Sequence, residues 1–314
     1  MDSANALAVQ RYLAQLATQR QLSPLTIAAY RRDLAQLDAL LGGADWARVV
    51  QADIRRLAAK LHAQSLSARS IARKLSSWRG FFDWLAQDSL LATNPVDAVR
   101  APKRARSLPR ALSVDDAVHL VGTPSHDAAR PEAPQLCERA MFELLYSSGL
   151  RVSELAGLDV VYTPAQAGGL PASLGWLDLA AREVTVTGKG NKMRKVPVGS
   201  HALAALTAWL DVRPPPADGS AALFLTTRAS RMSPRVIQLR LKAHALRVGT
   251  TVNVHPHVLR HSFASHLLQS SGDLRAVQDL LGHASISSTQ VYTALDFQHL
   301  AAVYDQAHPR AKRK

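Results

Sequence analysis

One cysteine, Cys137, stands in 314 residues, so the chain can form no internal disulfide and cannot complete a thiol-based zinc site. It reads as a buried thiol. Acidic residues are also in short supply: 24 Asp plus Glu face 38 Lys plus Arg, leaving a formal charge of +14. Such an excess calls for a polyanionic partner, with nucleic acid ahead of an anionic membrane surface. No apolar run approaches the ~18 residues that a transmembrane helix needs, and Met1-Asp2-Ser3-Ala4-Asn5 carries no basic signal-peptide region, so a cytoplasmic location with no membrane partner is expected. Gly188-Lys189-Gly190 is too short for a nucleotide-binding loop, and no Walker A motif occurs elsewhere.

What is present suggests two domains. Up to about residue 98 the apolar residues recur at helical spacing, and nothing alternates like a strand. Ser23-Pro24 starts a helix bearing Tyr30, Leu34 and Leu37, which Gly42-Gly43 closes. A third helix is expected near Asp53 to Ala63. Ser67 caps a fourth with Ile71, Leu75, Trp78, Phe82 and Leu85 on one face. Residues 1–99 thus form a helical bundle. The segment 100–110, RAPKRARSLPR, holds five basic residues, two prolines and no acid, and reads as an extended linker.

The second domain, 111–295, opens at Ser113-Val114-Asp115-Asp116 and continues helically through Glu138 to Leu145 toward Gly149. Glu183 to Val186 alternates, Gly188 to Asn191 turns, and Val196-Pro197-Val198 returns, which predicts a β-hairpin. Gly122 to Gln135 and the uncharged Val160 to Leu177 read as loops, and the remainder is helical. The expected class is mainly α with a small β-hairpin or sheet. A tail helix over 296–314 carries Phe297, Leu300, Ala301 and Tyr304 as an apolar stripe that must be buried somewhere.

Several segments carry chemistry, though each alone has an ordinary reading. Arg151 follows Gly149 in SSGLRVSELAGL and could simply pair with Glu154 three residues on. In HPHVLRHSFASHLL, His257 and Arg260 project from one face of a helix starting at Pro256, yet His255, His257 and His261 could equally form a polar patch. Leu280-Leu281-Gly282-His283 is a helix stop followed by a histidine, and nine residues later comes Tyr292, which alone would pass for a core residue. The hairpin tip TGKGNKMRK presents Lys189, Lys192, Arg194 and Lys195, which suit phosphate-backbone contact. Arginine suits phosphate because its planar fork donates two parallel hydrogen bonds and keeps its charge.

Taken in order, Arg151, the hairpin Lys189, His257-x-x-Arg260, Leu-Gly-His283 and Tyr292 resemble the catalytic pattern of the tyrosine recombinases, the phage integrase family. Within it the chain is most similar to the Xer chromosome-dimer resolvases, and its ending, LDFQHLAAVYDQAHPRAKRK, to their XerC branch. LSPLTIAAYRRDL at Leu22 to Leu34 is similar to the start of the family's core-binding domain. The resemblance implies a SAM-like amino-terminal bundle and a mixed α+β catalytic domain. It implies a catalytic set of Arg151, Lys189, His257, Arg260, His283 and Tyr292, with Glu154 as a helper. The 38 residues from Arg151 to Lys189 exceed what the resemblance leads one to expect, because of the uncharged loop, and bear on interfaces more than on chemistry.

By the same resemblance, Tyr292 attacks the scissile phosphate to give a 3′-phosphotyrosyl link and a free 5′-hydroxyl. His257 is the candidate base and Lys189 the candidate acid, while Arg151, Arg260 and His283 hold the phosphate oxygens. Neither cofactor nor metal is expected, since the link keeps the phosphodiester's free energy and arginines supply the positive charge. Candidate DNA contacts are Arg69, Arg73 and Arg79 on the fourth helix, Lys103, Arg104 and Arg106 in the linker, and Lys192 and Arg194 in the hairpin. Expected partners are double-stranded DNA with a dif-like site, a XerD-like second recombinase in a heterotetramer, and an FtsK-like translocase. The tail helix is expected on a neighbouring protomer. Three alternatives stay open: a mobile-element integrase, a type IB-like topoisomerase, and a non-catalytic DNA-binding protein.

Overall fold

A computed structural model describes residues 4–87, 93–103, 111–123, 132–165, 169, 171–188, 192–250, 252–282 and 294–311, with the backbone alone for 294–299. The chain divides into two compact units, Met1–Ser107 and Leu108–Lys314.

Among the described residues of the first unit are the helices α1 (Ala4–Thr18), α2 (Pro24–Leu41), α3 (Gln51–Ala63) and α4 (Ala68–Gln87). Local chemistry sets their ends. The Ser23 hydroxyl accepts from the Thr26 N–H ahead of Pro24, and Gly42 leaves α2 in the left-handed region at φ 68°. Ser67 likewise accepts from the Ser70 N–H. Ile71, Leu75, Trp78, Phe82 and Leu85 are all buried, as the stripe predicts, against Tyr12, Leu34, Leu37 and Trp46. Trp46 belongs to a short 3-10 turn that the helical spacing does not reveal.

The second unit runs α5 (Val114–Gly122), α6 (Ala133–Ser148), α7 (Val152–Ala156), β1 (Leu158–Asp159), β2 (Gly175–Asp178), β3 (Glu183–Thr187), β4 (Met193–Pro197), α8 (Ser200–Leu210), α9 (Pro234–Arg247), α10 (Pro256–Ser271), α11 (Leu274–Leu281) and α12 (Ala294–Ala307). Its strands order as β1-β2-β3-β4, with β1 and β2 parallel and the others antiparallel. The expected hairpin is β3–β4, registered Val184 to Val196 and Val186 to Arg194.

The loop expected over Val160 to Leu177 needs correction. Its end, from Gly175, is strand β2, which extends the hairpin into a sheet. Ahead of it, the Ser173 hydroxyl donates to Asp159 at 2.5 Å, and Asp159 also pairs with Arg231 at 2.5 Å. These bonds tie the start of the sheet to the segment that leads into α9.

The tail, expected on a neighbouring protomer, has a seat within its own unit. Helix α12 packs against α10, α11 and β4, with Leu300 and Tyr304 buried in the unit's core. The hydroxyls of Tyr304 and Ser147 are 2.8 Å apart, and beyond the helix Arg310 closes on Glu143. An apolar stripe buries wherever a matching surface is available, and α6, α10 and β4 supply one in cis. Among the described residues no helix is long and apolar enough to cross a membrane.

Candidate active site

The site forms where α6 gives way to α7. Helix α6 is buried throughout its last turns and stops at Gly149, whose φ of 55° a side chain tolerates poorly. A Cβ there would also lie 2.4 Å from Phe263 on α10. Two residues later Arg151 caps α7, and Glu154 at the third helical position turns its carboxylate back to the Arg151 N–H at 2.8 Å. The same carboxylate accepts from the Arg151 guanidinium at 2.7 Å. The pairing expected from the spacing is present, and its geometry aims Arg151 toward the end of α11.

There the last carbonyls of α11 meet three arginines. Arg194 donates through Nε to Leu280 O at 3.0 Å, Arg260 through Nη2 to Leu281 O at 2.5 Å, and Arg151 through Nη2 to Gly282 O at 3.3 Å. Orphan carbonyls at a helix C-terminus carry partial negative charge and draw cations. Arg260 uses its other arm on Gly149 O at 2.5 Å and so also caps α6. Gly282, in the left-handed region at φ 62°, ends α11, and the chain then passes toward His283 and Tyr292.

The Glu154 carboxylate balances part of this charge. Its side chain is 3% exposed and both oxygens are doubly used: Oε1 by Arg151 and Arg194, Oε2 by the Arg151 N–H and Arg194. Burial works to raise its pKa, but the hydrogen bonds and charge of Arg194, followed by the bonds from Arg151, outweigh it and hold the carboxyl below its usual range. Arg260 is pushed down to about 10, chiefly by burial and then by Arg151. It still carries its charge at neutral pH.

The structure thus brings Arg151, Glu154 and Arg260 together. His257 lies on α10 one turn before Arg260, exposed, with its ring centroid 6.0 Å from that of His255. His261 is exposed as well. Lys189, His283 and Tyr292 lie outside the described residues, as do Arg104 and Arg106. Lys103, Lys192 and Arg69 are exposed.

Three of the candidate DNA contacts have partners within the protein. Arg73 is exposed and also pairs with the buried Asp33. Arg79 is spent on the carbonyls of Val96 and Val99 at 3.1 and 3.2 Å, clasping the segment after the bundle. Arg194 is buried, its side chain 7% exposed and bound to Glu154, where an exposed basic residue is expected. The signal for this was in the sequence. Arg194 stands two residues before the buried Val196 on β4, on the inward parity of the strand, whereas Met193 and Lys195 are exposed.

Two family matches agree with this architecture. The N-terminal SAM-like domain of the phage integrase family matches residues 9–89, and the Phage integrase family itself matches residues 169–299. The chain belongs to the phage integrase family and is a tyrosine recombinase, a DNA strand-transferase. Its relatives include tyrosine recombinase XerC 1 of Ralstonia nicotianae, 57% identical over 96% of this chain and 93% of that protein. Tyrosine recombinase XerC of Ralstonia pickettii is 54% identical over 98% and 94%, and that of Pseudomonas aeruginosa 47% over 96% and 95%. In fold the chain is similar to a lambda integrase dimer bound to a COC′ core site, with a TM-score of 0.67 at 18% identity over 91% of this chain and 98% of that one. It is similar also to the Tn1549 transposon integrase in complex with circular intermediate DNA, with a TM-score of 0.66 at 19% identity over 93% and 98%.

Proposed function

We propose that the chain is a site-specific recombinase that resolves chromosome dimers at a dif-like DNA site, together with a XerD-like second recombinase and under an FtsK-like translocase. The observation that carries the chemical part is the cluster of the buried Arg194 and Arg260 and the half-buried Arg151 around the Glu154 carboxylate, at the end of the helix that precedes His283 and Tyr292 in the sequence. Three guanidinium groups gathered about the Glu154 carboxylate favour positive charge at this place, which suits a phosphate that gains negative charge in its transition state. Similarity to the XerC recombinases over nearly the whole chain supports the biological setting.

In the reaction the Tyr292 oxygen bonds to phosphorus while the bond to the 5′-oxygen breaks. The tyrosine proton passes to His257, and Lys189 delivers a proton to the departing 5′-oxygen. Arg151 and Arg260 hold the nonbridging oxygens, and His283 adds a hydrogen bond. Resealing is the reverse attack by a 5′-hydroxyl. It needs no nucleotide, because the phosphotyrosyl bond keeps the phosphodiester's free energy.

The test is a nicked suicide DNA carrying a dif-like site, offered alone and then as paired sites with the candidate partner recombinase. Covalent attachment followed by exchange between paired sites is expected. Attachment and resealing with no exchange would indicate a topoisomerase-like activity instead, and binding with no attachment would indicate a non-catalytic protein.

A further inference from the structure

Arg194 is the cation of the cluster that the proposed reaction leaves without a task. Its side chain is 7% exposed, so it cannot meet DNA without rearrangement. Yet it makes three directed hydrogen bonds, two to Glu154 at 2.9 and 2.8 Å and one to Leu280 O at 3.0 Å. Burying a guanidinium is costly, and hydrophobic residues fill such places more cheaply unless the charge serves a purpose.

The geometry shows what that purpose is. Glu154 has about four acceptor positions on its two oxygens. Arg151 takes one on each oxygen and Arg194 the other. With Arg194 in place, the carboxylate's charge is balanced by a residue whose side chain is only 7% exposed. Arg151, 31% exposed at the side chain, then keeps its own charge for an external oxyanion. Without Arg194, Arg151 would be the nearest counter-ion for a carboxylate that is 3% exposed, and both its charge and its direction would be drawn inward. The Nε bond has a second effect. It fixes strand β4, in the hairpin whose tip bears Lys189, to the last turn of α11, which leads to His283. The Gly188 Cα also approaches this pair closely, since a Cβ there would lie 3.3 Å from Arg194 Nη1 and 3.8 Å from Arg151 Nη1.

We infer that Arg194 is a positioning residue for strand cleavage, acting through Glu154 to present the Arg151 guanidinium to the scissile phosphate. The inference rests on the cleavage reaction proposed above. It assigns Arg194 no contact with DNA.

The experiment compares full-length wild type with Arg194→Met, Arg194→Lys, Glu154→Gln and the Glu154→Gln/Arg194→Met pair. Three readouts are taken on a nicked suicide half-site: the single-turnover rate of covalent attachment at saturating protein, the half-site Kd, and the melting temperature. Arg194→Met is expected to slow attachment about 100-fold, the scale on which a small displacement of a catalytic group acts. Its Kd should stay within about threefold of wild type, because no DNA contact is lost. Lysine keeps the charge but lacks the fork, so Arg194→Lys should recover part of the rate. In the Glu154→Gln background, where no carboxylate remains to be balanced, adding Arg194→Met should cost less than about tenfold more.

Wild type that forms no adduct would sink the proposed reaction and this inference with it. Given an active wild type, three results overturn the inference alone: an unchanged rate in Arg194→Met, a defect confined to Kd, or a defect in the pair equal to the product of the single defects. Loss of folding in both Arg194 variants would overturn it too, by making the residue structural.

Discussion

Arg310, four residues from the end of the sequence, is held against the carboxylate of Glu143 in the middle of α6, with side-chain exposures of 9% and 1%. A second bond, from Nε to Oε2, measures 3.0 Å. Breaking such a pair strands a buried charge. Arg310→Met is therefore expected to destabilise the catalytic unit by about 3–5 kcal/mol, whereas changing both residues to Met should recover most of that. Thermal unfolding of the four proteins in a double-mutant cycle checks it. A chain ending after Ala294 would lose this pair together with Leu300 and Tyr304, so single-site DNA binding should weaken as the unit loosens.

His308 gives the same region a pH dependence. Its ring lies 5.1 Å from Tyr146, 5.2 Å from Phe263 and 5.0 Å from Tyr304, centroid to centroid. Burial, and after it His266 and Arg310, push its pKa down from 6.5 to about 3. The unfolded chain therefore binds this proton between those values and the folded chain does not. Above pH 6.5 the group has no effect on stability, and as the pH falls toward 3 it disfavours folding by up to about 1.4 kcal/mol per pH unit. Urea unfolding at pH 7, 6 and 5 should show a steeper loss in wild type than in His308→Phe. Equal slopes would contradict the prediction.

The turn into the site leaves no room for a side chain at Gly149. Gly149→Ala must place a Cβ in the left-handed region, 2.4 Å from Phe263. The backbone conformation costs about 1–2 kcal/mol and overpacking about 1–3 more. A fall in melting temperature with a parallel fall in covalent attachment is expected, since Gly149 O also anchors Arg260.

Much of this architecture can be read from short-range chemistry. Ser23-Pro24, Ser113, Gly149 and Gly282 mark helix ends because cap geometry depends on a few neighbouring residues, and each occupies the place its type suggests. Strand β2 escapes the same reading. It is short, begins inside an uncharged Gly- and Pro-containing stretch, and owes its conformation to pairing with β3, Gly175 opposite Val186. Arg194 reads as a solvent-facing basic residue only while its neighbours Lys192 and Lys195 dominate; its strand parity points inward. Arg79 is similar, four residues after the buried Leu75, on the flank of the helix that clasps Val96 and Val99. The seat of the tail depends on α6, more than 150 residues away, and no local pattern encodes it.

Lys189 has a chemical signature of its own. If it protonates the leaving 5′-oxygen, Lys189→Ala should be cleavage-defective on ordinary DNA and largely restored when sulfur replaces that oxygen, because a thiolate leaves without a proton. Comparable defects on both substrates would assign Lys189 to DNA binding instead.

Tyr292 is the proposed nucleophile, and mapping the covalent adduct tests that role most directly. The competing tyrosines Tyr146 and Tyr304 are fully buried, within hydrogen-bonding distance of His266 and Ser147, and burial pushes the pKa of both well above the ordinary tyrosine value. Trapped on a suicide substrate, digested and sequenced by mass spectrometry, the protein should carry its nucleotide on the peptide containing Tyr292. Tyr292→Phe should give no adduct while binding the same DNA almost as tightly. An adduct on Tyr146 or Tyr304, or one that persists in the Phe variant, would contradict the account.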